Sequence, residues 1–361
     1  MQRYELFVRE FMEYLKLNME YKNVKLIRFS FTKVNEVLDA IAIEYPDLPV
    51  APVLDLNERY NFYCEGYTID GLAEITVIQL ETIRKDIGNI LKISRETVKR
   101  NLYCTVINRN ANKELLKNVP YEKMMDLAVI PRFRVGENGS FIVSNTVCQK
   151  LKMTSEEVME QARINTNREE FRLQNMNKSM KAIMLAGNVS EGYINELIDM
   201  QGNGCPIYIL TNKWGVDGSV ALISKDTLEH AYKMVQGDYY LIPNSRHELL
   251  LIPENAVPDM SYLKALVKEI NDNETSLSDK LSDHIYKYEG QTKKINIVDS
   301  EILSEIKDET DREIKRIEIY EEYLFTYMKI KEGKFHQEYV VVSELGKVDD
   351  EESGRYKENR S

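Results

Sequence analysis

The sequence predicts an α+β fold: a mainly antiparallel sheet with packed helices, followed by a charged C-terminal helix and a frayed acidic tail. Three observations predict it. Short runs rich in β-branched and aromatic residues, such as LYCTVIN, MDLAVIPRFRV and DYYLIP, recur from about residue 102 onward. Apolar positions at helical spacing separate them, as Leu228, Ala231, Tyr232 and Val235 do. The gaps between neighbouring strand-like runs are short, and short gaps join antiparallel strands, whereas parallel strands need long crossovers.

The elements follow in order. Tyr4, Phe7, Val8, Phe11, Tyr14 and Leu15 recur at helical spacing, so an amphipathic helix opens the chain and packs on the core. PDLPVAPVLDL, from Pro46 to Leu56, reads as an extended connection, because its prolines remove donors and bias their predecessors away from helix. Tyr60, Tyr63 and Tyr67 follow, either as a stacking platform or, more commonly, as rings packed on a sheet. Residues 70–91 read as helix. LYCTVIN and MDLAVIPRFRV are strands, and GENGS turns the second of them into FIVS as a hairpin. MTSEEVMEQARIN is a helix capped by Thr154 or Ser155. CPIYILTN and GSVALIS are short strands, and the helix marked by Leu228 to Val235 ends at Gly237. DYYLIP and HELLLIP are two further strands, and Met260, Leu263, Leu266, Val267 and Ile270 make a helical stripe after Pro258. In residues 299–361 there are 18 acids against 11 bases, so a polar-faced helix gives way to a frayed tail from Asp349 onward.

Three segments result: a helical and extended one over 1–91, an α+β core over 92–290, and a charged extension over 291–361. With 361 residues and 43% hydrophobic content the chain buries a sizeable core. A net charge of -11 opposes whole-protein affinity for nucleic acid or anionic membrane. No run of about 18 apolar residues occurs, so neither a membrane span nor a membrane partner is expected. Cys64, Cys104, Cys148 and Cys205 are too far apart for a zinc knuckle or a redox dithiol. They read as small buried hydrophobes in a reducing, cytoplasmic setting.

Two stretches invite chemistry. In DIGNILKISRETVKRNLY, Ser94 can cap a second helix that presents Arg95, Thr97, Lys99 and Arg100, as in a helix-turn-helix regulator. The segment 84–134 around it holds 12 bases and 5 acids. Gly88 before the turn and the lack of a dimerisation coil oppose that reading, and a capped helix with a basic solvent face explains the pattern as well. The other stretch is YYLIPNSRHELLLIPE. If Tyr239–Ile242 and His247–Ile252 pair, Asn244 to Arg246 form the turn, and His247 and Glu248 point to opposite faces of the second strand. Ser245, His247 and Glu248 are the candidate catalytic residues, and His247, Asp283 and His284 the candidate metal ligands. No nucleophile elbow and no H-E-x-x-H supports either role. A turn with a hydrogen-bonded histidine is the plainer expectation. No Walker loop or G-x-G-x-x-G is present, so no cofactor is implied.

The stretches KVNEVLDAIAI, APVLDLNERYNFYCEGYTIDGLAEI, NRNANKELLKNVPYEKMMDLAVI, YILTNKWGVDGSVALI, YYLIPNSRHELLLIPE, LKALVKEIN and LSDHIYKYE together resemble a domain-of-unknown-function family of gut-dwelling anaerobic bacteria. The likeness covers roughly residues 1 to 290 and is carried by the set of stretches as a whole. Its S-x-H-E pattern is kept here as Ser245 to Glu248, while relatives lack the regulator-like SRETVKR. The resemblance implies no activity and no catalytic residue.

The expected function is a non-catalytic protein-binding or regulatory module, with another protein as partner. The alternatives are a DNA-binding regulator acting through Arg95 to Arg100, and a hydrolase or metal enzyme around Ser245, His247 and His284.

Overall fold

The computed structural model describes residues 2–19, 23–87, 94–136, 139–186, 190–192, 195, 206–243, 245–269, 278–298 and 337–341. It has an α+β architecture with two mostly antiparallel sheets. Helix α1 (Gln2–Met19) buries Phe7, Val8, Phe11, Leu15 and Met19; of the expected stripe Tyr4 is half-buried and Tyr14 is exposed. A hairpin of β1 (Lys25–Lys33) and β2 (Glu36–Glu44) follows, turned at Asn35, which adopts a left-handed φ of 64°.

The proline-rich stretch departs from expectation. Val50–Asp55 is strand β3, paired to β2. Pro52 removes one ladder donor, but burial of Val50, Ala51, Val53 and Leu54 outweighs that loss. Asp55 caps α2 (Leu56–Cys64) by accepting from the backbone of Asn57 and Glu58, and Cys64 at the far end of this helix is exposed, against the expected burial. The tyrosines pack on helices, not on a sheet: Tyr60 and Tyr63 lie 5.3 and 5.2 Å from Phe7 of α1. Helix α3 (Ile69–Ile87) closes this part.

A short α4 (Arg95–Asn101) runs directly into β4 (Leu102–Asn108). Then come β5 (Glu122–Met124), β6 (Leu127–Val135) and β7 (Gly139–Ile142), the last two forming the expected hairpin. Helix α5 spans Asn145–Leu151, and Thr154 caps α6 (Ser155–Thr166) through a capping box with Glu157. The second sheet holds β8 (Phe171–Asn175), β9 (Tyr208–Asn212), β10 (Tyr239–Ile242), β11 (Leu249–Pro253), β12 (Tyr286–Glu289) and β13 (Lys294–Ile297). Its order is β13-β12-β10-β11-β9-β8. Helices α7 (Met176–Ala186), α8 (Lys225–Val235) and α9 (Met260–Glu269) accompany it.

Two local elements differ from expectation. GSVALIS is a 3-10 helix, Gly218–Ile223, not a strand. Asp217 enters it in a left-handed conformation, and a Cβ on Gly218 would meet the His247 carbonyl at 2.5 Å, so only glycine fits at that position. Helix α8 ends on Gln236, left-handed at φ 61°, one residue before the glycine expected to stop it.

The C-terminal extension holds the main surprise. The expected charged helix and acidic tail lie outside the described residues. Gln337–Val341, however, is strand β14, inside the first sheet, whose order is β1-β2-β3-β14-β7-β6-β4. The largest core cluster accordingly draws residues from Phe7 to Val341, across all three expected segments. No described helix is long and apolar enough to cross a membrane.

Candidate functional site

One face of the first sheet carries charge where the rest of its interior is apolar. The alternation of β6 directs Leu127, Val129, Phe133 and Val135 to the main core, and it directs Arg132 and Arg134 the other way. Arg132 is fully buried. It donates to the Ser140 hydroxyl at 2.9 and 2.6 Å, and its Nη2 donates to both Glu338 carboxylate oxygens at 2.8 and 2.7 Å. Its Nε also lies 3.7 Å from Asp217 Oδ2. A buried arginine without such anions would be costly, so β6 dictates acidic partners.

Asp217 continues the chain of charges. Fully buried, it accepts from the Tyr103 hydroxyl at 2.8 Å and from Arg246 Nη1 at 3.2 Å. Arg246 Nε in turn donates to Asp279 Oδ1 at 3.0 Å, and His247 Nε2 reaches the same oxygen at 3.0 Å. Signs thus alternate from Glu338 through Arg132, Asp217 and Arg246 to Asp279. Beside this chain, Arg134 stacks over Tyr103 and Trp214 at 4.4 and 4.6 Å and pairs with Glu169 at 3.1 Å.

The electrostatics follow from burial and neighbours. Burial pushes the Asp279 carboxyl up, but the His247 and Arg246 bonds prevail and hold it well below the usual carboxylate range. Burial lifts the Glu169 carboxyl above its ordinary value against the pull of Arg134. Burial raises the Tyr103 hydroxyl, and the Asp217 charge raises it further, so this phenol stays protonated and donates. Burial opposes the charge on Arg132 and Arg246, yet their carboxylates keep both guanidiniums above the ordinary value.

The His247 ring is fully engaged. Its Nδ1 accepts the Asp217 backbone N–H at 3.2 Å, which places the ring proton on Nε2, facing Asp279. Both ring nitrogens thus have a partner within the fold. Ser245 is buried, and its hydroxyl accepts the His247 backbone N–H at 3.1 Å, so the two meet through the main chain. Glu248 is buried in the same loop. His247 also lies outside the strand that was expected to begin with it, since β11 starts at Leu249. The loop before β11 is held by Arg246 N–H to the Asp279 carbonyl at 2.9 Å and by the Ser245–Lys280 bridge, and Asn244 lies outside the described residues. Asp283 pairs with Lys280 at 2.8 Å, and the His284 backbone N–H bonds the Ser282 hydroxyl at 3.0 Å. Among the described residues no group of three His, Cys, Asp or Glu is placed to hold a metal.

The four candidate nucleic-acid residues all sit on the seven-residue α4. Lys99 and Arg100 are exposed, while Arg95 pairs with Glu157 of α6 at 2.8 Å. Thr97 is half-buried and turned back to the Ser94 hydroxyl at 2.7 Å. The turn and helix end that would complete the regulator-like motif, residues 88–93, lie outside the described residues.

The strand slot itself is closely shaped. Strand β14 pairs antiparallel with β3 through Val341↔Val50, and parallel with β7 through Gln337↔Gly139. All five of its residues are buried. Gln337 donates to the Val53 carbonyl at 2.8 Å. A Cβ on Gly139 would come within 2.1 Å of the Tyr339 ring, so glycine at that position admits the tyrosine. Sequence reasoning missed Arg132, Asp217, Asp279 and Glu338. The available signals were the PRFRV alternation, which buries arginines on a strand face, and the QEYVVV run within a charged tail.

A family model described as a family of unknown function matches residues 4–290. No curated protein and no solved structure matches the chain. The matched span includes β3, β7, Arg132 and Gly139, and it ends before β14.

Proposed function

The chain belongs to DUF5688, a family of unknown function, and we propose that it is a non-catalytic protein-binding module that captures an extended acidic strand between β3 and β7. One observation carries this reading. The walls of the slot, with Arg132 and Gly139, lie within the family's span, whereas the strand that fills it lies beyond that span. Main-chain hydrogen bonds on both edges supply affinity that depends little on sequence. Arg132 supplies selectivity, because a buried guanidinium rewards a carboxylate and penalises a neutral side chain. In this chain the captured strand is its own Gln337–Val341, tethered and therefore at high effective concentration. The full engagement of His247 supports a binding role over an acid-base one.

The test uses the full chain with a protease site inserted between residues 299 and 336. After cleavage, a fluorescent peptide covering residues 333–345 is added in excess. The expected result is exchange of the peptide into the slot, with about tenfold weaker binding when its Glu338 equivalent is glutamine. A cleaved chain that unfolds, or one that binds both peptides equally or neither, overturns the reading and leaves β14 as ordinary core.

A further inference from the structure

A second feature, independent of the strand slot, lies in the connection that follows β4, the edge strand of the first sheet. Between β4 and β6 the chain folds over a hollow of about 480 Å³, lined by Arg109, Lys113, Leu116, Lys117, Tyr121 and Lys123. Four cations thus meet around one concavity in a chain whose net charge is -11. We propose that this hollow is a binding site for a small phosphorylated ligand carrying a planar ring, of the nucleotide class.

The loop that presents the cations is pinned from behind. Asn108 Oδ1 accepts the backbone N–H groups of Asn110 and Ala111, each at 2.9 Å, and its amide donates to the Leu281 carbonyl at 2.9 Å. Asn112 donates to the Asn108 carbonyl at 2.7 Å and to the Asn35 side chain at 2.7 Å. The Arg109 backbone N–H bonds the Asp126 carbonyl at 3.1 Å, and Lys123 is fixed in register opposite Ala128. These bonds leave the backbone little freedom, so the basic groups are gathered before any ligand arrives.

The charge there is poorly compensated from within. Lys117 pairs with Glu114 at 2.5 Å, and Glu122 is turned away to Arg163. Among the described residues, Arg109, Lys113 and Lys123 have no carboxylate partner. Gathering like charges costs Coulomb energy, and a polyanion relieves it. Phosphate oxygens suit both the lysine point charges and the guanidinium fork. The Tyr121 side chain, 39% exposed, adds an aromatic surface at the wall on which a planar ring can stack. The volume lies within the usual range of small-molecule sites.

The full chain is titrated by calorimetry with ATP, with pyrophosphate and with a short single-stranded RNA at about 0.1 M salt. ATP and pyrophosphate are expected to bind with micromolar to sub-millimolar affinity that weakens as salt rises. The double variant Lys113→Ala/Lys123→Ala should lose at least about tenfold for both ligands, with an unchanged melting temperature because both side chains are exposed and unpaired. Tyr121→Ala should weaken ATP and leave pyrophosphate untouched. Three results overturn the proposal: no binding of either compound at about 1 mM, binding indifferent to the double variant, or RNA binding more than about tenfold tighter than ATP. The last would assign the surface to a nucleic-acid strand.

Discussion

Strands β11 and β14 are both five residues long and both buried on every residue, yet they are stabilised in different ways. In β11, Leu249 and Leu251 face the main core, while Leu250 and Ile252 face a second apolar cluster. Nothing in it depends on one particular partner. In β14, Tyr339 and Val341 join the main core, but Glu338 enters a buried face and is stabilised there by Arg132, 206 residues away in sequence. An apolar strand is buried wherever apolar surface is on offer. A strand with a buried carboxylate is buried only where its cation waits. The first arrangement gives stability, and the second gives selectivity at a cost in desolvation.

That contrast is broken most directly at Arg132. Replacing it with methionine strands Glu338 in a buried site and leaves Asp217 with Arg246 alone of its two guanidiniums. The expected loss is about 3 to 5 kcal/mol in urea unfolding. The double variant Arg132→Met/Glu338→Leu should recover most of it, since a buried ion pair is worth little more than an apolar pair of similar size. A single variant within about 1 kcal/mol of the parent would mean that the pair is solvated in solution.

The matching experiment on β11 has no such rescue. Leu250→Ala or Leu251→Ala should each cost about 2 to 5 kcal/mol, because each removes methyl groups from a closed core. The two sites face different clusters, so their effects should add to within about 0.5 kcal/mol. Strong coupling between them would show that the two cores yield as one unit.

The far end of the ion chain sharpens the comparison with a pH signature. His247→Ala removes the acceptor for the Asp217 N–H and one donor to Asp279, for an expected loss of about 1 to 3 kcal/mol. Asp279 has its carboxyl pKa depressed in the folded chain, so its contribution is fully present above the unfolded value, near pH 4. It is lost as pH falls below that value towards the folded one. Melting curves from about pH 6 down to pH 3 should therefore slope downward with acid, and Asp279→Asn should flatten the slope. An unaltered slope would exclude Asp279 as a source of the acid sensitivity.

The same contrast explains what was legible in the sequence. The opening helix, the β6–β7 hairpin, the Thr154 cap and the two-sided burial of β11 are local patterns, written in adjacent residues. Strand β3 was hidden because its prolines speak for extension but against pairing, and only neighbouring strands decide between them. Strand β14 was hidden behind the composition of its surroundings, since net charge over 63 residues conceals a short apolar run. The candidate site was half visible. Its loop drew attention through Ser245, His247 and Glu248, but Arg246, placed only in the turn, is the residue that links Asp217 to Asp279. Long-range ion pairs leave no periodic trace, and they are what assembles this site.

The smallest effect belongs to the surface. Arg95 and Glu157 are 2.8 Å apart, but both side chains are about half exposed, 52% and 44%. In water their attraction is screened, and ordering two long side chains offsets most of it. Arg95→Ala should change stability by less than about 1 kcal/mol, and that change should vanish in about 1 M salt. The same variant bears on the DNA reading. The Arg95 head is already taken by Glu157, which leaves Lys99 and Arg100 as the exposed bases of a helix that ends after two turns. Duplex DNA should bind weakly at most, without sequence preference and with steep salt dependence, and Arg95→Ala should barely alter it. A tight footprint on one sequence at about 0.15 M salt, abolished by Arg95→Ala, would show that Arg95 leaves Glu157 for a base edge, and the comparison would then have to include a third kind of site.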